Sequence, residues 1–304
     1  MHKLLGALSL ACVIGLAAFV PAASASTLSN AKVVIIVGPV EGSTASYVSD
    51  AASTATVARQ YSSNVVTIYS PYATWANVEP ALQGAAIVVY FGHGNGWPSP
   101  YAPFQETTKD GIGLNAASNA GNSNVKYYGA TNLKSSIKLA PNAVVILGHL
   151  CYSAGNSEAQ NPAPTLTVAE QRVDNMGAGW LQTGARAVIS EPYSNEAGWY
   201  IQGLFTMNET INALWQSAPN FNHNVQSWTS VRTTWAAVQL DTNPHATGNE
   251  HFNRAISGDM NLLTPSVVGI PISSPFGHVT LSQAGGTRVV SGSVQLRSAG
   301  PQAR

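Results

Sequence analysis

Two short stretches carry residue types able to do covalent chemistry. One is Gly92-His93-Gly94-Asn95-Gly96, the other His149-Leu150-Cys151-Tyr152-Ser153-Ala154-Gly155. A thiolate is the reactive form of cysteine, and a nearby imidazole can accept its proton or hold it as an ion pair. Glycines beside His93 and after Cys151 leave backbone N–H groups open to a negative charge developing on an attacked carbonyl. They also permit the close approach that a substrate backbone needs. The requirements for acyl transfer through a thioester are present, provided the two stretches meet in space.

The elements that would bring them together are legible as apolar runs. Ala86 to Phe91 precedes His93, and Ala143 to Leu147 precedes Cys151. Lys32 to Val37, Asn64 to Tyr69 and Ala185 to Ile189 are further runs of the same kind. Solid apolar runs suit strands covered on both faces. Helical patterns alternate with them: Thr44 to about Tyr61 behind a Ser43 cap, Ala73 to Gln83 interrupted by Pro80, and Thr131 to Leu139. Another is opened by the capping-box pattern Thr167-Val168-Ala169-Glu170 and ended by Gly184. Glu196 to Ser217 and Val225 to Leu240 are read as helices as well, the latter with Trp228, Val231, Trp235 and Val238 on one face. The expected fold class is α/β, a mostly parallel central sheet with helices on both faces. In such sheets the working site lies at the carboxyl ends of the strands, near a topological switch point. His93 and Cys151 fall just beyond such ends, and so does Glu191. Residues 95–129, rich in Gly, Asn, Ser and Pro, break the rhythm and are read as a lid or substrate-facing loop.

The remainder of the chain bounds the setting. His2 and Lys3, an apolar Leu4 to Val20 and Ala23-Ser24-Ala25 read as a secretory signal peptide, residues 1–25, with cleavage after Ala25. The mature protein is then expected to be secreted, without a membrane span. Of the 2 cysteines, Cys12 would leave with that segment, so Cys151 has no partner for an intramolecular disulfide. Charged residues are only 9% of the chain, and 14 Lys+Arg balance 14 Asp+Glu, which leaves no basic stripe for nucleic acid and no polybasic patch for membranes. Residues 26–264 are expected to form the catalytic domain. Residues 265–304, with Pro265, Pro271 and Pro275, read as a linker and tail, in which His278 to Gln295 could form a hairpin.

The strand-His93-Gly94 and strand-Cys151 pattern resembles the caspase–haemoglobinase class of cysteine peptidases. Within it, Tyr90 to Gly94 (YFGHG) and His149 to Asn156 (HLCYSAGN) are most similar to the gingipain and CHAT branch. Phe252 to Asp259 is similar to a Gly-Asp element near the end of gingipain-like domains, with Met260 where that element usually has proline. The resemblance covers roughly Lys32 to Leu263. It implies a caspase-like three-layer sandwich and a secreted endopeptidase acting on peptide or protein substrates. In that reading His93 is general base or acid, Cys151 the nucleophile, and the N–H groups of Gly94 and Cys151 form the oxyanion hole. It implies no cofactor for the chemistry, although some members bind calcium structurally. A residue two before the cysteine helps select the substrate side chain in several members; here it is His149. Glu191, Glu158 and Asp110 are the carboxylates that could supply an acidic pocket.

Other readings compete. Free cysteine is often inert core. His149, Cys151 and His93 could bind a metal, with i, i+2 ligands on one strand face. Ser153 stands in only part of a nucleophile-elbow pattern. A caspase-like domain without activity could serve as a surface or binding module. Asn208-Glu209-Thr210 matches a glycosylation sequon but falls inside an expected helix.

Overall fold

The structure is a computed structural model that describes residues 28–158 and 160–269. The signal-peptide reading and the expected tail hairpin lie outside the described residues. In chain order the strands are β1 (Val33–Val37), β2 (Val65–Tyr69), β3 (Ile87–Phe91), β4 (Ile112–Asn115), β5 (Val125–Tyr128), β6 (Val144–Gly148), β7 (Ala187–Glu191), β8 (Val225–Thr229), β9 (Ala237–Thr242) and β10 (Phe252–Gly258). The helices are α1 (Thr44–Tyr61), α2 (Trp75–Leu82), α3 (Ala130–Ser136), α4 (Leu166–Leu181), α5 (Ala197–Thr206), α6 (Ile211–Gln216) and α7 (Thr264–Val267).

Eight strands form one sheet in the order β2-β1-β3-β6-β7-β10-β9-β8. The first five are parallel to one another, and β10, β9 and β8 close the far side antiparallel. The solid apolar runs are the reason: every residue of β1, β3, β6 and β7 is buried, which requires cover on both faces. Alternate residues serve opposite cores. Val33, Ile35, Val89, Phe91 and Ile146 pack with Ala51 and Ala55 of α1, Tyr200 and Leu204 of α5 and Trp215 of α6. Val34, Ile36, Val88, Tyr90 and Leu147 pack with Val78 and Leu82 of α2, Leu133 of α3 and Trp180 of α4. The result is three layers, helix–sheet–helix.

The chain leaves β1 for β2 on one side and returns to β3 on the other, so the switch point falls between β1 and β3. The first and last described segments meet at the amino ends of these strands, where Ser29 Oγ donates to the Val268 carbonyl at 3.1 Å. Packing continues past Thr264: Pro265, Val267 and Val268 are buried, so the domain extends beyond the expected boundary at residue 264.

Several local expectations are corrected. Val225 to Leu240 is a hairpin, β8 and β9, not a helix; Val231 is 82% exposed while Val238 is fully buried, so they share no face. Its turn is held by Asp174 of α4, which accepts from Ser230 Oγ and, at 2.9 Å, from the Val231 N–H. The expected 196–217 helix is two helices. Thr210 caps the second by accepting from the Ala213 N–H at 3.1 Å, and Thr264 Oγ1 holds the Met207 carbonyl in the break. The sequon asparagine, Asn208, therefore sits in an exposed link. Helix α4 is capped by Thr165, two residues earlier than the capping-box pattern placed it. Pro80 sits inside α2 without splitting it.

The 95–129 insertion holds the β4–β5 hairpin and is anchored rather than loose. Lys109 and Asp110 are buried in it. Lys109 Nζ donates to Asn95 Oδ1 and Ser99 Oγ at 2.9 and 3.1 Å, and Asp110 Oδ1 accepts from the Trp97 N–H at 3.0 Å. Burial pushes the Asp110 carboxyl up to about 7.

Candidate functional site

The parallel register sets the last residues of four strands in one row. Val37 pairs with Phe91, Phe91 with Gly148, and Gly148 with Glu191. The loops that leave this row carry Glu41 after β1, His93 after β3 and Cys151 after β6. Sheet order alone therefore brings together groups far apart in the chain.

The His93 backbone is fixed from behind. Its carbonyl accepts from the Gly113 N–H and from Tyr90 Oη, each at 3.0 Å. Tyr90 is fully buried, and its hydroxyl also donates to the Gly113 carbonyl at 2.6 Å. The ring is half-open to solvent and points Nε2 at Glu41, 3.0 Å from Oε2. Glu41 sits in a tight turn with φ +39°, held by its N–H to the Asn122 carbonyl at 3.0 Å. Among the described residues Nδ1 of His93 makes no hydrogen bond, and none joins the ring to the Cys151 thiol.

The His93 and Cys151 loops abut directly. A Cβ on Gly94 would lie 2.1 Å from the Cys151 carbonyl oxygen, and one on Gly96 would lie 2.4 Å from Cβ of Tyr152. Neither glycine can be replaced without parting the two loops. The Cys151 loop turns sharply, with φ +54° at His149 and +70° at Tyr152. The Tyr152 N–H is taken by Asn156 Oδ1 at 2.7 Å, and Ser153 Oγ donates to the Leu150 carbonyl at 2.8 Å. Ser153 is thereby a buried structural hydroxyl rather than a nucleophile. Among the described residues the Gly94 and Cys151 N–H groups donate to no other backbone carbonyl.

Cys151 is partly exposed and unpaired. Burial first, then the Glu158 carboxylate, push its thiol up to about 11, against a smaller opposing contribution from its own N–H. Aromatic rings close the flanks. Burial, then Glu158, Cys151 and Glu41, push the Tyr127 phenol up to about 12. Tyr101 Oη donates to Glu158 Oε2 at 2.8 Å, which brings the 95–129 insertion to the rim of the site. Tyr47 packs against the His149 ring, centroids 5.8 Å apart.

A cavity of about 210 Å³ opens beside Cys151, walled by His149, Leu150, Tyr193, Glu250 and Asn253, with Glu191 at its base. The sequence candidates sit there in different ways. His149 is exposed and anchored by its N–H to the Glu191 carbonyl at 2.8 Å. Glu191 is fully spent: Arg254 Nε and Nη2 reach its two oxygens at 3.1 Å each, Asn220 Nδ2 donates at 3.0 Å and Tyr200 Oη also donates. Burial first, then the charge of Glu191, push the neighbouring Glu196 carboxyl up to about 8. Asp110 is committed within the insertion and does not line this cavity. Glu41, Glu250 and Asn253 were not singled out in the sequence. Their only signal is a place in or beside a strand end at this row: Glu41 after β1, Glu250 before β10 and Asn253 at the start of β10.

A larger groove, about 930 Å³, lies at the opposite pole between residues 28–32 and 266–269; no His, Cys or carboxylate lines it. Among the described residues no group of three or more His, Cys, Asp or Glu side chains could hold a metal ion, and no helix is long and apolar enough to cross a membrane. Comparison with protein-family models, with curated proteins and with solved structures finds no match.

Proposed function

We propose that the protein is a secreted cysteine endopeptidase of caspase–haemoglobinase type, most similar to its gingipain-like branch, with Cys151 as nucleophile and His93 as the proton carrier. The observation that carries this reading is the row of strand ends, which sets the His93 loop against the Cys151 loop at the edge where α/β sheets place their chemistry. With Nε2 engaged by Glu41, Nδ1 is the nitrogen left to take the thiol proton. Because the resting thiol is held up, His93 works as a general base during attack rather than as half of a standing ion pair. The sulfur bonds to the substrate carbonyl carbon, the oxyanion meets the open N–H groups of Gly94 and Cys151, and the proton taken by His93 passes to the leaving amine. Water then hydrolyses the thioester by the same route. Glu41 orients the imidazole and steadies its charge, as a carboxylate does in other triads.

The test is hydrolysis of a diverse peptide library. Cys151→Ala should abolish cleavage with circular dichroism unchanged, and His93→Ala should lower kcat by about 10²–10⁴.

The raised thiol and the Glu41-bound ring favour one other reading, a binding module that retains the architecture without turnover. No cleavage of any library member, together with a thiol alkylation profile identical in wild type and His93→Ala, selects it.

A further inference from the structure

The groove at the pole opposite Cys151 is built on the amino ends of four neighbouring strands. Asn64, Lys32, Ala86 and Pro141, which lead into β2, β1, β3 and β6, line it, and Ser266 to Gly269 run along one wall past α7. Apolar groups make up much of its surface. Leu28 is 48% exposed, and the Tyr61 and Phe205 rings stack with centroids 5.6 Å apart. Among the described residues that line it, Lys32 is the one charge, and its Nζ donates to the Gln83 carbonyl at 3.0 Å. Ser29 Oγ is likewise spent on the Val268 carbonyl. At about 930 Å³ the groove lies at the upper end of ligand-pocket volumes, about 300–1,000 Å³. It offers no carboxylate to a cation and no uncommitted cation to an anion. Its occupant is therefore an uncharged, partly apolar group.

The chain supplies such a group at the groove's own edge. Gly269, with φ +68°, is the left-handed residue that ends α7, and it forms part of the groove wall. A residue that follows such a glycine tends to pack back on the last turn of its helix, here on the buried Pro265. That residue is Ile270. The stretch Ile270-Pro271-Ile272-Ser273-Ser274-Pro275 carries no charge, and the first Lys, Arg, Asp or Glu beyond it is Arg288. Six extended residues reach at most about 20 Å, and four strands about 4.8 Å apart are about 14 Å across, so the stretch is long enough to cross all four. Its two prolines favour an extended backbone, which lowers the entropy lost on seating it. Being tethered, it meets the groove at an effective concentration in the millimolar range and outcompetes an untethered partner of equal affinity. We infer that Ile270 to Pro275 lie in this groove across the amino ends of β2, β1, β3 and β6, with Ile270 and Ile272 on its apolar wall. The segment then completes the domain at that pole, whatever chemistry Cys151 performs at the other.

The experiment uses the full chain and has two arms. In the first, the exposed wall residue Gln60 is replaced by a photo-crosslinker, Gln60→p-benzoyl-phenylalanine, and the crosslinked position is sequenced by mass spectrometry after irradiation and digestion. The crosslink should fall within residues 270–275 of the same molecule, with a yield unchanged on about tenfold dilution. Crosslinked dimers that disappear on dilution would put a second copy in the groove and overturn the inference. Crosslinks confined to the groove's own walls overturn it too. The second arm leaves the groove unaltered. The amides of Ile272, Ser273 and Ser274 should exchange hydrogen at least about tenfold more slowly than in an isolated peptide of the same sequence, and Ile272→Asp should abolish the difference. Exchange as fast as in the peptide overturns the seat, and protection that survives Ile272→Asp overturns the apolar anchoring.

Discussion

When His93 is neutral, acceptance by Glu41 places its proton on Nε2 and leaves Nδ1 with a lone pair, the tautomer a thiol proton requires. Glu41→Gln keeps a hydrogen-bond acceptor but removes the charge that steadies imidazolium. It should therefore lower kcat by roughly 10–100-fold with little change in KM, measured on the best library peptide. The thiol makes a second prediction. With its titration near pH 11, iodoacetamide labelling of Cys151 in the free protein should rise about tenfold per pH unit from 7 to 10, and Glu158→Gln should move the midpoint downward. A profile that levels near neutral pH would show a preformed ion pair and contradict the general-base step. At this scale the sequence was informative where residue type is rare. A lone cysteine and a glycine-flanked histidine, each behind a buried run, stand out. Glu41 does not, because one carboxylate in Pro39-Val40-Glu41-Gly42 has no pattern around it; only the strand order puts it beside His93.

The 95–129 insertion behaves as an element with its own titration. Asp110 is buried with one oxygen unpartnered, and its carboxyl is raised to about 7 against an unfolded value near 4. The folded state therefore holds this proton longer than the unfolded chain. Its contribution to stability is complete below about pH 4 and is lost as pH rises through about 7, on the order of 4 kcal/mol in all. Asp110→Asn cannot ionise, so its unfolding free energy from urea titrations should fall less steeply than wild type across that window. A parallel decline in both proteins would locate the effect elsewhere. The elements also show where periodicity misleads. The five parallel strands were legible because burial on both faces demands unbroken apolar runs. The β8–β9 hairpin was not, because Trp228, Val231, Trp235 and Val238 happen to repeat at helical spacing. What bends the chain there is Asp174, a distant acceptor in α4 that collects the Ser230 hydroxyl and the Val231 N–H.

Across the whole molecule, the parallel half that carries the candidate site is joined to the antiparallel half by a buried ionic knot. Arg254 of β10, with no exposed surface, reaches Glu191 of β7, Asp241 of β9, the Tyr200 hydroxyl and the Trp215 carbonyl. Arg254→Met would leave two buried carboxylates without their cation and should destabilise the fold by about 3–5 kcal/mol, read as a fall in the urea midpoint. Replacing all three charged partners with apolar residues should cost far less, since the penalty comes from the orphaned charges. This knot could not be foreseen from the chain, since it depends on a strand reversal that no local pattern announces. The meeting of Ser29 with Val268 beneath the amino ends of the strands has a practical outcome. The first and last described residues thus leave the domain at the pole away from the sulfur. Immobilising the protein through either flank should therefore leave the cleft facing outward, open to large polypeptides as well as to small reagents.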